Sequence, residues 1–348
     1  MNSPHYRVTR SSQTSQISLI LGIVILVTLA TAPRWVGRAD MRLMGEVFLY
    51  LSLATLWNLM AGYAGLVSIG QQAFVGLGGY LLFALTMQLG FHPIEAIICA
   101  GVLAALVSIP VAGLIFRLRG AYFAIGTWVI AEVFRLVFAQ ISSLGGGSGT
   151  SLPIAIVKSV ASSRQGREWL SYWLALGLMV LIIGLVYWFL RSRQGMALSA
   201  IRDNELAASS LGIDIWRTKF TVYVVTAALT AMVGALIFLQ KLRISPDAAF
   251  SGNDWTAFVI FIVVIGGIGT LEGPIIGTLM FFALRETLAD LGTTYLIVLG
   301  LVAIIVMLKA PTGVWGLIRS RWDLQPFPLS YRVKRPPQVE ESNESNNG

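Results

Sequence analysis

NLMAGYAGLVSIGQQAF, residues 58–74, sets Asn58, Ser68, Gln71 and Gln72 among glycines and apolar side chains. Apolar runs of approximately Leu43–Met60 and Ala73–Gln88 flank this glycine-broken centre. Each approaches the roughly 20 residues that a helix needs to cross a bilayer. An amide left unpaired in hydrocarbon is costly, so these side chains must face other helices or a water-filled path. Glycine breaks in membrane helices serve close packing, and they also mark substrate sites in transporters. Packing accounts for the glycines but not for the amides beside them. We therefore read Asn58, Gly65, Ser68, Gly70, Gln71 and Phe74 as lining a path across the membrane.

Working outward, further apolar runs read Ile17–Ala32, Ile94–Phe116, Ala121–Phe138, Trp169–Leu190, Phe220–Leu239, Trp255–Ile268, Ile275–Leu288 and Tyr295–Leu308. Together with the first two they predict an all-α integral membrane protein of about ten transmembrane helices. Composition agrees: 56% of the residues are hydrophobic and 12% charged, against about 25% charged in soluble domains. Ala30-Thr31-Ala32 mimics a signal-peptidase site, but Pro33 follows it and many spans come after, so the first run is read as a retained helix. Pro93 and Pro274 suit helix starts, where a missing amide hydrogen costs nothing, and Pro110 should kink its helix.

Lys and Arg fall mainly in alternate loops on the side of the N-terminus, which predicts both termini in the cytoplasm and an even number of spans. Arg34, Arg38 and Arg42 cluster on the disfavoured side. On this reading residues 1–16 form a cytoplasmic tail, 17–318 the transmembrane domain and 319–348 a second cytoplasmic tail, whose proline-rich and polar end is expected to be disordered. The net charge of +8 follows from membrane topology and implies no nucleic acid partner.

Enzyme chemistry finds no support. Cys99 stands alone, and neither His5 nor His92 has the neighbours of a metal site or a catalytic base, so both are read as ordinary solvated histidines. Gly145-Gly146-Gly147-Ser148-Gly149-Thr150 lacks the lysine of a phosphate-binding loop. No cofactor, metal or catalytic residue is expected, and any ATP must be bound by another polypeptide. Gly266 and Gly267 open a second glycine-rich turn, ending at Pro274, that suits either positive backbone φ or a gate on the path.

Residues 191–219 form the longest charged loop. Asp203 is placed to cap a short helix running to Leu211, with Gly212 after it. The helix is small and smooth through Ala207, Ala208, Ser209 and Ser210, which suits insertion into a partner's groove better than exposure to water. Within the spans, Glu132 and Arg135 are spaced to pair on one helix face, while the neighbours Arg285 and Glu286 point in different directions.

These stretches resemble the branched-chain amino-acid ABC permeases of the LivM type. The similarity rests on Asn58–Phe74, Arg119–Arg135, Gly145–Gly149, AIRDNELAASSLG at 200–212 and GGIGTLEGP at 266–274, in matching order across roughly residues 40–318. Gln71-Gln72 and Thr150 depart from the family pattern. The resemblance implies a type II ABC importer architecture. It also implies a heterodimer with a LivH-type second permease subunit, two ATP-binding subunits, a periplasmic solute-binding protein and residence in the bacterial cytoplasmic membrane. Arg202, Asp203, Asn204, Glu205, Ala207, Ala208 and Gly212 would then touch the ATPase. Relatives carry branched-chain or other neutral amino acids, and some carry urea. An ion-coupled secondary transporter is the rival from another class. It would need intramembrane carboxylates, for which Glu46 and Glu132 are the candidates.

Overall fold

The computed structural model describes residues 7–9, 13–161, 163–288, 292, 294–310, 312–322, 326–327 and 332–334. A short strand β1 (Arg7–Thr9) precedes α1 (Gln13–Thr31), and α2 (Arg38–Asn58) passes into a π-helical turn at Leu59–Tyr63. There follow α3 (Gln71–Gln88), α4 (Pro93–Ile115), α5 (Ala121–Gln140), β2 (Thr150–Ser151), α6 (Ile154–Val160) and α7 (Arg164–Arg191). The charged loop holds α8 (Arg193–Asp203) and α9 (Glu205–Ser210). The chain continues through α10 (Ile215–Lys241), β3 (Arg243–Ile244), α11 (Pro246–Ala249), a π-helical turn at Asn253–Ala257 and α12 (Phe258–Gly266). It closes with α13 (Gly273–Thr287), α14 (Tyr295–Lys309), α15 (Gly313–Trp322) and β4 (Arg332–Lys334).

Every apolar run of the sequence is helical, but the expected count of ten spans is not confirmed. Among the described residues, six helices are long and apolar enough to cross a membrane, or seven if the bent pair Tyr295–Lys309 and Gly313–Arg321 forms one span. The physical reasons differ by helix. The 15 residues of α13 rise only about 22 Å, short of the roughly 30 Å hydrocarbon core. Three glutamines and three glycines dilute the apolar content of α3.

The centre is built by α2, α3, α10 and α12. In α2 and α10, 78% of the spanning window is buried, against 22% in α5, which therefore lies at the periphery. Trp57, Tyr80, Phe83, Phe238 and Phe281 fill the core. Small residues let α3 and α10 touch backbone to backbone. A Cβ on Gly78 would lie 1.9 Å from Ala231 O, and one on Gly234 would lie 2.2 Å from Val75 O. Apolar side chains such as Val102 and Leu106 on α4 and Trp128 and Val129 on α5 point outward, as lipid requires. The α4 helix continues through Pro110.

Contacts sort the loops into two ends. At one end Tyr187 packs against Phe327, and the Phe327 N–H donates to Glu272. At the other, β2 pairs antiparallel with β3, Arg285 pairs with Glu46 at 2.8 Å, and Arg42 pairs with Glu168. The strands β1 and β4 pair antiparallel, with Val8 opposite Val333, so the two tails lie side by side. The remainder of the tail expected to be disordered, including 335–348, lies outside the described residues, as do 1–6 and 10–12 of the N-terminal segment.

Candidate functional site

The polar residues of the broken segment 58–74 are buried, and the structure divides them between two jobs. Asn58 belongs to a clamp. Its Nδ2 donates to Thr270 O at 2.7 Å, and its Oδ1 accepts from the Gly269 N–H at 2.8 Å. Gly62 permits this approach, because a Cβ there would lie 2.5 Å from both Asn58 Oδ1 and Gly269 N. Gly266 and Gly267 serve the same turn. A Cβ on Gly266 would lie 1.9 Å from Gly273 O, and Gly267 has a φ of 131°. In the structure Asn58, Gly266 and Gly267 thus make packing and turn contacts.

The second group lies around the start of α3. Ser68, Gly70, Gln71 and Phe74, with Met60, Tyr223, Thr226 and Thr230, enclose a cavity of about 10 Å³. That volume is close to the smallest that holds one water. Trp57 Nε1 donates to Ser68 O at 2.8 Å, and Ser68 Oγ accepts from the Gly70 N–H at 3.1 Å. Gln71 Nε2 donates to Leu53 O at 3.0 Å, while its Oε1 is buried with no hydrogen-bond partner among the described residues. A buried amide oxygen beside a cavity of this size needs a donor that the surrounding side chains do not supply. Phe74 packs edge-on against Tyr223 at 5.8 Å. Gly70 lies so close to α5 that a Cβ would sit 2.1 Å from Thr127 O. Gly65 has a positive φ of 68° and no neighbour within 4 Å of a Cβ. Gln72 turns elsewhere, accepting from the Thr256 hydroxyl.

The charged loop corrects two expectations. The cap of the short helix is Asn204, whose Oδ1 accepts from the Ala207 N–H at 3.1 Å. Asp203 instead ends α8, because the extended backbone at Asn204, φ −162°, breaks the two helices apart. Gly212 follows α9 in the left-handed region, with its N–H donating to Ser209 O at 2.9 Å. Ala208 is 1% exposed and packed within its own chain, so it cannot enter a partner's groove. The exposed apolar side chains of this element are Leu206 at 82% and Leu211 at 78%. Glu205 pairs with Lys219, and Arg202 with Asp203 at 3.4 Å. The α8 helix packs against the π-helical turn Leu59–Tyr63, and Arg202 Nη1 lies beside Gly269.

The in-span pair forms as spaced. Arg135 Nε donates to Glu132 Oε1 at 2.9 Å, and Arg135 Nη1 reaches Asp247 Oδ1 at 2.8 Å. Glu46 is occupied by Arg285. Both carboxylates proposed for ion coupling thus already hold a guanidinium. His92 is a structural residue and not merely a solvated one. Its Nδ1 accepts from the Ile94 N–H at 3.4 Å and caps α4, which leaves Nε2–H to donate to Ser159 O at 3.2 Å. Among the described residues no group of three or more His, Cys, Asp or Glu is placed to hold a metal ion. Sequence reasoning missed a cavity of about 670 Å³, which opens at the end of the molecule opposite α8 and α9.

The sequence matches the family described as "Branched-chain amino acid transport system / permease component" over residues 41–307. Among its curated relatives is the high-affinity branched-chain amino acid transport system permease protein LivM of Escherichia coli K12. It is 27% identical over 334 residues, covering 89% of this chain and 78% of that protein. A probable LivM of Methanocaldococcus jannaschii is 26% identical, covering 69% and 78%. The LivH permease of Salmonella typhimurium is also 26% identical, covering 77% and 91%. No solved structure matches the chain.

Proposed function

Because the chain belongs to the family of branched-chain amino acid transport permeases, we propose that it is the membrane-spanning subunit of an ATP-driven importer of branched-chain or related neutral amino acids. The observation that carries this reading is the match along 89% of the chain to a permease of that name. The chain performs no hydrolysis itself. It works with a LivH-type second permease, two ATP-binding subunits and a periplasmic solute-binding protein in the bacterial cytoplasmic membrane.

The substrate path runs past Ser68, Gly70, Gln71 and Phe74. The cavity there is too small for an amino acid in this conformation, so passage requires the helices around it to move apart. The loop of α8 and α9 is the element that receives ATP-driven motion. Its contact with the turn Leu59–Tyr63, and the nearness of Arg202 to Gly269, supply a short mechanical route from the cytoplasmic end to the start of α3. With this loop inside, both tails are cytoplasmic. Guanidinium partners on Glu46 and Glu132 argue against ion-coupled transport, since a carboxylate that binds Na⁺ or H⁺ must be free to release its partner.

The test is uptake of radiolabelled leucine into vesicles holding the full set of subunits, with and without ATP. ATP-dependent leucine accumulation is the expected result, and accumulation driven by an ion gradient alone would overturn the reading. Single cysteines at Ser210 and Asn253, with Cys99 replaced by serine, check orientation. An impermeant thiol reagent added to intact spheroplasts should label the second and spare the first.

A further inference from the structure

The 670 Å³ cavity lies where α2, α7 and α10 end, roofed by α6. Four cations line it, Arg42, Arg164, Arg167 and Lys241, against two carboxylates, Glu46 and Glu168. Both carboxylates are already engaged. Glu46 holds Arg285, which lies outside the lining, and Glu168 is met by Arg42, by Arg164 at 3.5 Å and by Arg38 at 3.9 Å. Among the described residues Arg167 makes only a 3.4 Å contact to Ala161 O. Among the described residues Lys241 has no carboxylate within ion-pair distance, and it rests its ammonium over the Trp255 ring at 4.7 Å. The cavity therefore carries surplus positive charge.

Two further observations sharpen this. Arg164 and Arg167 occupy the first turn of α7, a 28-residue helix with no acidic residue in that turn. The positive end of the helix dipole disfavours cations there. An anion in the cavity would relieve that repulsion. Below the charged rim the walls are apolar, through Leu49, Val157, Leu239 and Trp255. The sequence also concentrates basic residues on this end, Arg38 and Arg42 among them, against the usual bias of membrane loops.

We propose that this cavity binds the phosphodiester headgroup of a membrane phospholipid, with the phosphate held by Arg167 and Lys241 and the acyl chains following the apolar wall into the bilayer. Basic pockets between membrane helices bind anionic headgroups by the same electrostatics. A soluble phosphate would satisfy the cations but would leave the apolar wall without a partner. The site is separate from Ser68 and Gln71 and does not depend on the transported substrate.

The experiment uses the full-length chain purified in detergent with its co-expressed subunits, delipidated and titrated with phosphatidylglycerol under native mass spectrometry. One saturable phospholipid per chain should bind. Arg167→Ala with Lys241→Ala should weaken it at least ten-fold, while Arg243→Ala, outside the cavity lining, should leave it unchanged. Inorganic phosphate at millimolar concentration should not displace the lipid. If the double variant fails to fold, Arg164→Ala, altering a side chain 71% exposed, should still weaken binding measurably. No saturable lipid in the unaltered complex, equal lipid retention in the cavity variants, or full displacement by inorganic phosphate would each overturn the proposal.

Discussion

Asn58 and Gly269 are joined across 211 positions of sequence by a part-buried hydrogen bond, the Gly269 N–H donating to the Asn58 carboxamide at 2.8 Å. The same carboxamide donates to Thr270 O. One side chain at the end of α2 therefore fixes the turn between α12 and α13. Because α8 packs on the neighbouring turn Leu59–Tyr63, the clamp stands between the proposed coupling loop and the proposed path.

Asn58→Leu should remove both bonds and leave the Gly269 amide and the Thr270 carbonyl unpaired. Two lost part-buried hydrogen bonds, with both backbone partners left unpaired, amount to about 2–4 kcal/mol. We expect a lower melting temperature in detergent and reduced uptake together. Reduced uptake at an unchanged melting temperature would instead assign Asn58 to substrate contact.

Gln71→Leu tests the path itself. The Nε2 bond to Leu53 O is lost at a cost of about 1 kcal/mol, while the unpaired Oε1 disappears at no cost. Stability should change little, subunit ratios should stay normal, and leucine uptake should fall at least ten-fold. Uptake kinetics equal to those of the unaltered protein would make the Gln71 amide a packing residue.

The contact of α3 with α10 should tolerate no added volume. At Gly78 a Cβ would meet the Ala231 backbone, which cannot rotate away as a side chain tip can. Gly78→Val is expected to cost more than the usual 1–3 kcal/mol of overpacking, so the folded permease should be nearly absent from membranes. Gly113→Ala on α4, where nothing lies within 4 Å of a Cβ, should be recovered at normal yield.

How much of this was legible beforehand depends on the range of the interaction. Local patterns read well. The ten apolar runs are helical, Gly212 ends α9 in the left-handed region, and the spacing of Glu132 and Arg135 produced an ion pair. Partners distant in sequence did not read. Asn58 looked like a path residue because a buried amide needs a partner, and sequence alone does not reveal that Gly269 supplies it. Ala208 looked like a docking residue because small smooth helices suit grooves, but the groove is in its own chain. The 670 Å³ cavity draws its charges from three separate helices, so no single stretch announced it.

Glu272 gives a pH prediction. Burial pushes its carboxyl above the usual carboxylate range, only partly opposed by backbone hydrogen bonds, the Phe327 N–H among their donors. Its folded-state pKa is higher than its unfolded one, so its contribution is favourable at low pH and is lost as pH rises through the raised value. Glu272→Gln keeps an acceptor for Phe327 and has no charge to bury. Its melting temperature should match the unaltered protein in acid and exceed it at pH 8. A difference independent of pH would show that Glu272 does not titrate across folding.

The coupling loop provides the last test, and the structure changes which residues it should use. Ala208 is buried in its own chain, so Ala208→Trp should lower the amount of folded permease and says nothing about docking. Leu206 and Leu211 are exposed apolar side chains on α9 and just after it, and water alone gives them no reason to be there. If the ATP-binding subunit covers them, each contributes about 1.5–3 kcal/mol of burial, and losing one weakens docking by ten-fold or more. Leu206→Asp and Leu211→Asp leave every contact inside the permease intact. Glu205→Lys differs, since it sets like charges opposite one another at Lys219 and should loosen α9 from α10. We expect the two aspartate variants to fold normally, to co-purify with less ATPase and to lose uptake in proportion. Folded aspartate variants with normal subunit ratios and normal uptake would place the coupling contact outside α9.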